Sequence, residues 1–260
     1  MVFRLLRSIH QKGITVSKRL VRKARSRILR QRWLHVGVES RPRSSAPVDP
    51  VRVFASLETI VINLKSRADR LKQFEEEIQK LRIPAWRRVE AVDGAENFPH
   101  LDPFYSGSIG CSLSHVQALQ EARWDEIDAL LICEDDVEFL ASPEEISQLI
   151  EEFLSNPHLD VLALYGKARG GSHQVSNNLR IVVGLVGTVC YVVKPHMAPV
   201  ISDLFAQGVE DLQRGKRRGK SDILWNKLQQ RGYFFAAPIT SVARNRAGFS
   251  DIEGRHLGPR

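Results

Sequence analysis

The chain has 260 residues, 43% hydrophobic and 26% charged, which suits one α/β domain with appendages, or at most two small domains, and an ordinary globular core. Its net charge of +8 is uneven: residues 1–50 hold 13 Lys/Arg against 2 Asp/Glu, so residues 51–260 carry a net −3 and an inference of nucleic-acid binding from the basic pI fails for the body. No apolar run approaches the ~20 residues of a membrane span, no signal-peptide pattern opens the chain, and three widely spaced cysteines without a CxxC pattern fit buried, reduced thiols; a cytoplasmic protein is expected.

Residues 1–36 read as a basic, imperfectly amphipathic helix, with Ile14, Val21, Ala24 and Ile28 on one face and Arg19, Lys23 and Arg30 opposite. Residues 37–50, with Pro42, Ser44, Ser45 and Pro47, read as a linker. An arm and linker over 1–52 are therefore followed by a folded body over 53–260. Thr59–Leu64 is a β-branched apolar run that predicts a buried strand. A helix follows over 68–81, with Leu71, Phe74, Ile78 and Leu81 on one face. A strand is expected over 86–91, a helix over 112–122, and an apolar strand over 129–133. Ser142-Pro143-Glu144-Glu145 starts a helix that runs to about 154. Strands over 160–165, 181–183 and 188–193, a helix over 199–205, a basic loop over 215–220, a helix from Ser221 and a strand over 233–236 complete the body. This alternation predicts a mostly parallel sheet with helices on both faces, whose function gathers at the carboxyl ends of the strands.

Three segments carry chemistry. Glu134-Asp135-Asp136 directly follows an apolar strand, and strand alternation aims Glu134 and Asp136 to one side. Clustered carboxylates suit a hard cation, Mg²⁺ or Mn²⁺; the alternative is a solvated acidic run. Arg67 and Arg70 stand three apart at a helix start beyond a strand end, where they could fork onto phosphate or simply decorate a first turn. Gly110-Cys111-Ser112-Leu113-Ser114-His115 combines small residues with donors at an expected helix N-terminus, suited to an anion or to plain capping by Ser112 with His115 in the core.

Together the segments VINLKSRADRL (61–71), RVEAVDG (88–94), IGCSLSHVQAL (109–119), LLICEDDVEF (130–139), GTVCYVV (187–193) and SDILWNKL (221–228) resemble glycosyltransferase family 25, the lipooligosaccharide and collagen galactosyltransferase group. The resemblance spans about 58–240. It implies a GT-A-like fold, a UDP-sugar donor, a divalent metal, Mn²⁺ or Mg²⁺, and an inverting transfer of a hexose, galactose by default, to a glycan or lipid-linked acceptor. By similarity Glu134 and Asp136 would hold the metal. Asn63, Leu64, Arg67, Arg70, Asp93, Ser114, His115 and Asp135 would surround the donor. An inverting transfer needs a base for the acceptor hydroxyl, and Asp222, at the start of a late helix, is the candidate. The basic arm is outside the family pattern and suits an anionic membrane face. The alternative function is a non-catalytic scaffold whose arm contacts membrane or RNA. A phosphotransferase is disfavoured by the absence of a Walker loop.

Overall fold

The structure, a computed structural model, describes residues 48–259. The predicted arm over 1–36 and most of the linker lie outside the described residues. Asp49 caps a first helix, α1 (Pro50–Ala55), by accepting from the Val51 N–H at 3.0 Å. β1 (Leu57–Asn63) is buried at all seven positions, as its β-branched run predicts. α2 (Ala68–Leu81) ends at Arg82, which turns the chain with φ 56°. Then come β2 (Arg87–Glu90), α3 (Gly94–Asn97), α4 (Pro103–Glu121), β3 (Ala129–Glu134) and β4 (Val137–Phe139). α5 (Pro143–Ser155) opens with the predicted capping box between Ser142 and Glu145. β5 (Val161–Ala163) leads into an excursion of short strands, β6 (Lys167–Ala168), β7 (Ser172–Gln174), β8 (Leu179–Val182) and β9 (Leu185–Val186), before β10 (Cys190–Val193). α6 (Ala198–Gln213), α7 (Ser221–Leu224), α8 (Asn226–Arg231) and β11 (Phe235–Pro238) follow, and β12 (Ala243–Asn245), β13 (Gly248–Ser250) and β14 (Arg255–Leu257) close the chain.

Eight strands form the central sheet in the order β2-β1-β3-β10-β5-β11-β8-β7. Six point the same way; β10 and β8 run against them, so the sheet is mixed and mostly parallel in direction. One face carries Ile60, Ile62, Leu130, Ile132, Tyr191 and Phe235 into a core shared with Leu119 of α4, Ile201 and Phe205 of α6, and Leu224, Trp225 and Leu228 around α7 and α8. Residues of the opposite parity, Val61, Leu131, Cys133, Leu162 and Val192, are equally buried, and α1, α2 and α5 contribute Phe54, Phe74, Ile78, Ile146 and Phe153 among the other large buried side chains. Cys133 and Cys190 face each other across β3 and β10 as free thiols, 3.5 Å apart.

Two helices differ from the sequence expectation. α4 begins at Pro103, not Ser112, because Asp102 accepts from the Phe104 N–H at 3.0 Å and Pro103 presets the first turn. The Gly110–His115 segment is therefore helix interior and presents no helix N-terminus to an anion. α6 runs on to Gln213, eight residues beyond the helix expected over 199–205.

Candidate active site

The site is built where β1 and β3, paired in parallel with Ile62 opposite Glu134, end together. Asn63, the last residue of β1, is buried and donates through Nδ2 to Asp135 Oδ2 at 2.7 Å and to the Arg67 carbonyl at 2.9 Å. Arg70, one turn into α2, reaches the same carboxylate through Nη1 at 3.0 Å and lies 3.8 Å from Asp136. Leu64 is half-buried in the connecting turn, and its carbonyl accepts from the Arg67 N–H at 2.9 Å. Arg67 pairs with Asp69 at 3.0 Å and with Asp251 at 2.7 Å. The Phe249 carbonyl accepts from Arg70 Nη2. The β13–β14 hairpin thus leans on both arginines predicted for the donor.

The three acids go separate ways because the pleat stops at Glu134 and residues 135–136 form a turn into β4. Glu134 accepts from the Thr188 hydroxyl at 2.7 Å and lies 3.2 Å from His115 Nε2. His115 is fully buried, and its Nδ1 is 3.1 Å from the Tyr191 hydroxyl. Burial works to raise the Glu134 pKa, but the hydrogen bonds and charge of His115 and the Thr188 hydroxyl outweigh it and hold the group below the ordinary glutamate value. Asp135 is shifted upward by burial against the opposing pull of Arg70 and Asn63. Asp136 is pushed up to about 7 by burial and by repulsion from Glu134 and Asp135, while Arg70 and a 3.0 Å hydrogen bond from Asn245 oppose the shift.

A cavity of about 230 Å³ opens beside this carboxylate cluster. Glu134, Thr188, Asn245 and Cys111 line it together with Asp222, from the first turn of α7. Asp222 is shifted upward by burial, with Lys220 opposing and Glu134 adding repulsion. A larger shallow depression of 560 Å³ near Asp128, Lys194 and His196 contains none of the residues above.

One donor set among the described residues is compact enough to hold a cation. The Sγ of Cys111, a ring nitrogen of His115 and a carboxylate oxygen of Glu134 all lie within 4.8 Å of one another. The Cys111 thiol is shifted well upward by burial and the Glu134 charge, so it is not a ready thiolate. Separately, Asp136 Oδ1 and Asp222 Oδ1 are each buried without a hydrogen-bond partner among the described residues and each feels the Glu134 charge, but the three carboxylates do not close into one compact ligand set. Orphaned carboxylate oxygens of this kind fit a hard divalent ion.

The structure thus brings Asn63, Arg70, Asp135, Asp136, Glu134 and His115 together, with Asp222 across the cavity. Asp93 and Ser114 serve the backbone: Asp93 caps α3 by accepting from Ala95 and Glu96 N–H, and Ser114 accepts from Val92 N–H at 2.9 Å and donates to the Gly110 carbonyl at 2.6 Å. Asn245, on β12, carries no local sequence signal; Asp251, in the β13–β14 turn, is a weaker sequence candidate for the base, and the structure pairs it with Arg67. Thr188 lay in a segment quoted for its apolar residues.

No curated protein sequence matches the chain. Among solved structures it is similar to a glycosyltransferase involved in the glycosylation of the major capsid of PBCV-1, at 10% identity over 76% of this chain and 95% of that one, with a TM-score of 0.37. It is also similar to mannose-1-phosphate geranyltransferase from Thermus thermophilus, at 10% identity over 78% of this chain and 75% of that one, with a TM-score of 0.38. Residues 56–210 match the profile of glycosyltransferase family 25 (LPS biosynthesis protein), a span holding every site residue above except Asp222, Asn245, Phe249 and Asp251; the chain belongs to that family of glycosyltransferases.

Proposed function

We propose that the protein moves a hexose, galactose first among the candidates, from a UDP-sugar to a glycan or lipopolysaccharide acceptor with inversion, assisted by Mn²⁺ or Mg²⁺. The observation that carries this is a cavity lined by Glu134, Asp222 and Asn245, the last hydrogen-bonded to Asp136, with a buried, unpartnered oxygen on each aspartate. Glu134 and Asp136 are the oxygens that would hold the ion, which when bound neutralises charge on a departing nucleoside diphosphate. Asn63 and Arg70 fix the Asp135 carboxylate from two sides, so it can present one geometry to the donor's ribose. Arg67 and Arg70 can exchange their contacts with Asp251 and Phe249 for donor oxygens. Asp222 takes the proton from the acceptor hydroxyl as that oxygen attacks the anomeric carbon from the face opposite the leaving group. Its upward-shifted pKa makes it a stronger base than an exposed aspartate. The basic arm over 1–36 would hold the enzyme peripherally on an anionic membrane where a lipid-linked acceptor is presented.

The test is UDP release from a panel of UDP-sugars with Mn²⁺, with and without EDTA. Release that needs the metal and disappears in Asp136→Ala supports the proposal. Absence of UDP binding by calorimetry would favour a scaffold without turnover.

A further inference from the structure

Most basic side chains near the site are already engaged by acids. Arg67 meets Asp69 and Asp251, Arg70 meets Asp135, Arg244 meets Glu138, and Arg246 meets Glu77. Lys167, Arg169 and Lys220, which all line the active-site cavity, have no such partner among the described residues. Lys167 and Arg169 are exposed and two apart on the β6 strand and its continuation, so alternation puts them on one side of the ribbon. The ribbon is fixed by pairing of Lys167 with Val186 and Ala168 with Leu185, and by the Arg169 N–H donating to the Gly184 carbonyl at 3.0 Å. Lys220, half-buried, sits over the Phe104 ring with Nζ 5.2 Å from its centroid, just before Asp222. Lys220 and Arg169 are both close enough to Asp222 to pull its pKa down.

Their position in the sheet separates them from the donor end. Asn63 ends β1, whereas the segment bearing Lys167 and Arg169 leaves β5, three strand spacings away in the order β1-β3-β10-β5, roughly 14 Å. The base candidate Asp222 is on the cation side. We infer that Lys167, Arg169 and Lys220 form an anion subsite for the acceptor, so that the sugar acceptor carries a phosphate or carboxylate close to the hydroxyl that is glycosylated. This rests on the glycosyl-transfer reading of the cavity.

The test uses the full chain and titrates glucose 6-phosphate and glucose by calorimetry, without UDP, and titrates UDP with Mn²⁺ separately. The phosphorylated sugar should bind at least about tenfold tighter than glucose, as charge-assisted hydrogen bonds of 1.5–3 kcal/mol require. The double variant Lys167→Glu/Arg169→Glu, on an exposed ribbon and checked for folding by circular dichroism, should lose that preference while its UDP affinity stays within about twofold. Arg169→Gln should lose part of it. Equal binding of the two sugars, or no binding of glucose 6-phosphate, overturns the subsite. A parallel loss of UDP affinity in the double variant also overturns it and assigns the cations to the donor diphosphate. Failure of the wild type to bind UDP would instead remove the transfer reading, and the sugar titrations would still report on the anion subsite.

Discussion

Asp222 and Asp136 are both shifted upward, yet opposite consequences follow. As the proposed base, Asp222 would act only when ionised, so transfer should rise with pH through its elevated pKa and then level off. Asp222→Asn should lower the transfer rate by about 10²–10⁴-fold with UDP affinity retained, measured by single-turnover kinetics and calorimetry. Asp136 matters for stability. Its folded pKa, about 7, exceeds the ordinary 3.8. The folded state therefore holds more protons than the unfolded state between those values, and the group's contribution is complete below pH 3.8 and lost as pH rises through 7. Metal-free wild type should thus be less stable at pH 8 than Asp136→Asn, by roughly 2–4 kcal/mol at most. Mn²⁺ should raise the wild-type melting temperature at that pH and leave the variant's unchanged. A variant that melts lower than wild type in metal-free buffer at pH 8 would show that burial is not what raises the Asp136 pKa. At this scale the sequence made the acids visible but not their directions. Strand alternation extrapolated past Glu134 put Glu134 and Asp136 together and Asp135 apart, whereas the turn at 135–136 lets Arg70 reach both aspartates.

Among the elements, α2 and α5 were legible because their signals are local: apolar residues at helical spacing through Ile78 and Leu81, and a complete capping box at Ser142. The first nine residues of α4 were not. Their buried residues are Ser106, Ser108, Ile109 and Gly110, and one apolar side chain among them makes no hydrophobic period. The buried hydroxyls satisfy themselves by donating to carbonyls four residues back, Ser108 to Phe104 at 2.6 Å and Ser112 to Ser108 at 2.9 Å. Small residues there permit backbone-to-backbone packing of α4 on α3. A methyl group on Gly94 would lie 2.0 Å from the Ser106 carbonyl oxygen, and one on Gly110 2.4 Å from that of Val92. The small residues of the Gly110–His115 motif therefore allow close approach of protein backbone. Gly94→Ala or Gly110→Ala should each destabilise the fold by about 2–4 kcal/mol, read from the urea midpoint at unchanged slope. A loss below about 0.5 kcal/mol would mean that the two helices separate freely.

For the whole molecule, charge is segregated between a strongly basic first fifty residues and a slightly acidic body. No helix among the described residues is long and apolar enough to cross a membrane. If the arm binds a membrane, attraction is electrostatic, about 1 kcal/mol per basic residue near an anionic surface, and falls with salt. Removing residues 1–50 should abolish co-sedimentation with phosphatidylserine vesicles at low salt while UDP release is retained; unchanged sedimentation removes the anchor. The sheet itself was predictable as mostly parallel from alternating strands and helices. The reversal of β10 was not, because an apolar strand reads the same in either direction. That reversal shapes how the catalytic edge is assembled. Parallel strands β1 and β3 finish at the edge, whereas β10 starts there, so the chain between β5 and β10 travels past the cavity, adds β8 and β7 beyond β11, and returns to begin β10 at Cys190. Both anchor points of this excursion are held by the pairing of Ala163 with Tyr191. Outside β7 and β8, which belong to the sheet, residues 164–189 can therefore change at their exposed positions while the sheet keeps its register. They deliver Lys167, Arg169 and Thr188 to the cavity and leave the Asn63–Asp135–Arg70 cluster alone. On the proposed assignment Lys167 and Arg169 are free to vary without disturbing the Asn63–Asp135–Arg70 cluster, whereas Thr188 is not, because its hydroxyl holds Glu134.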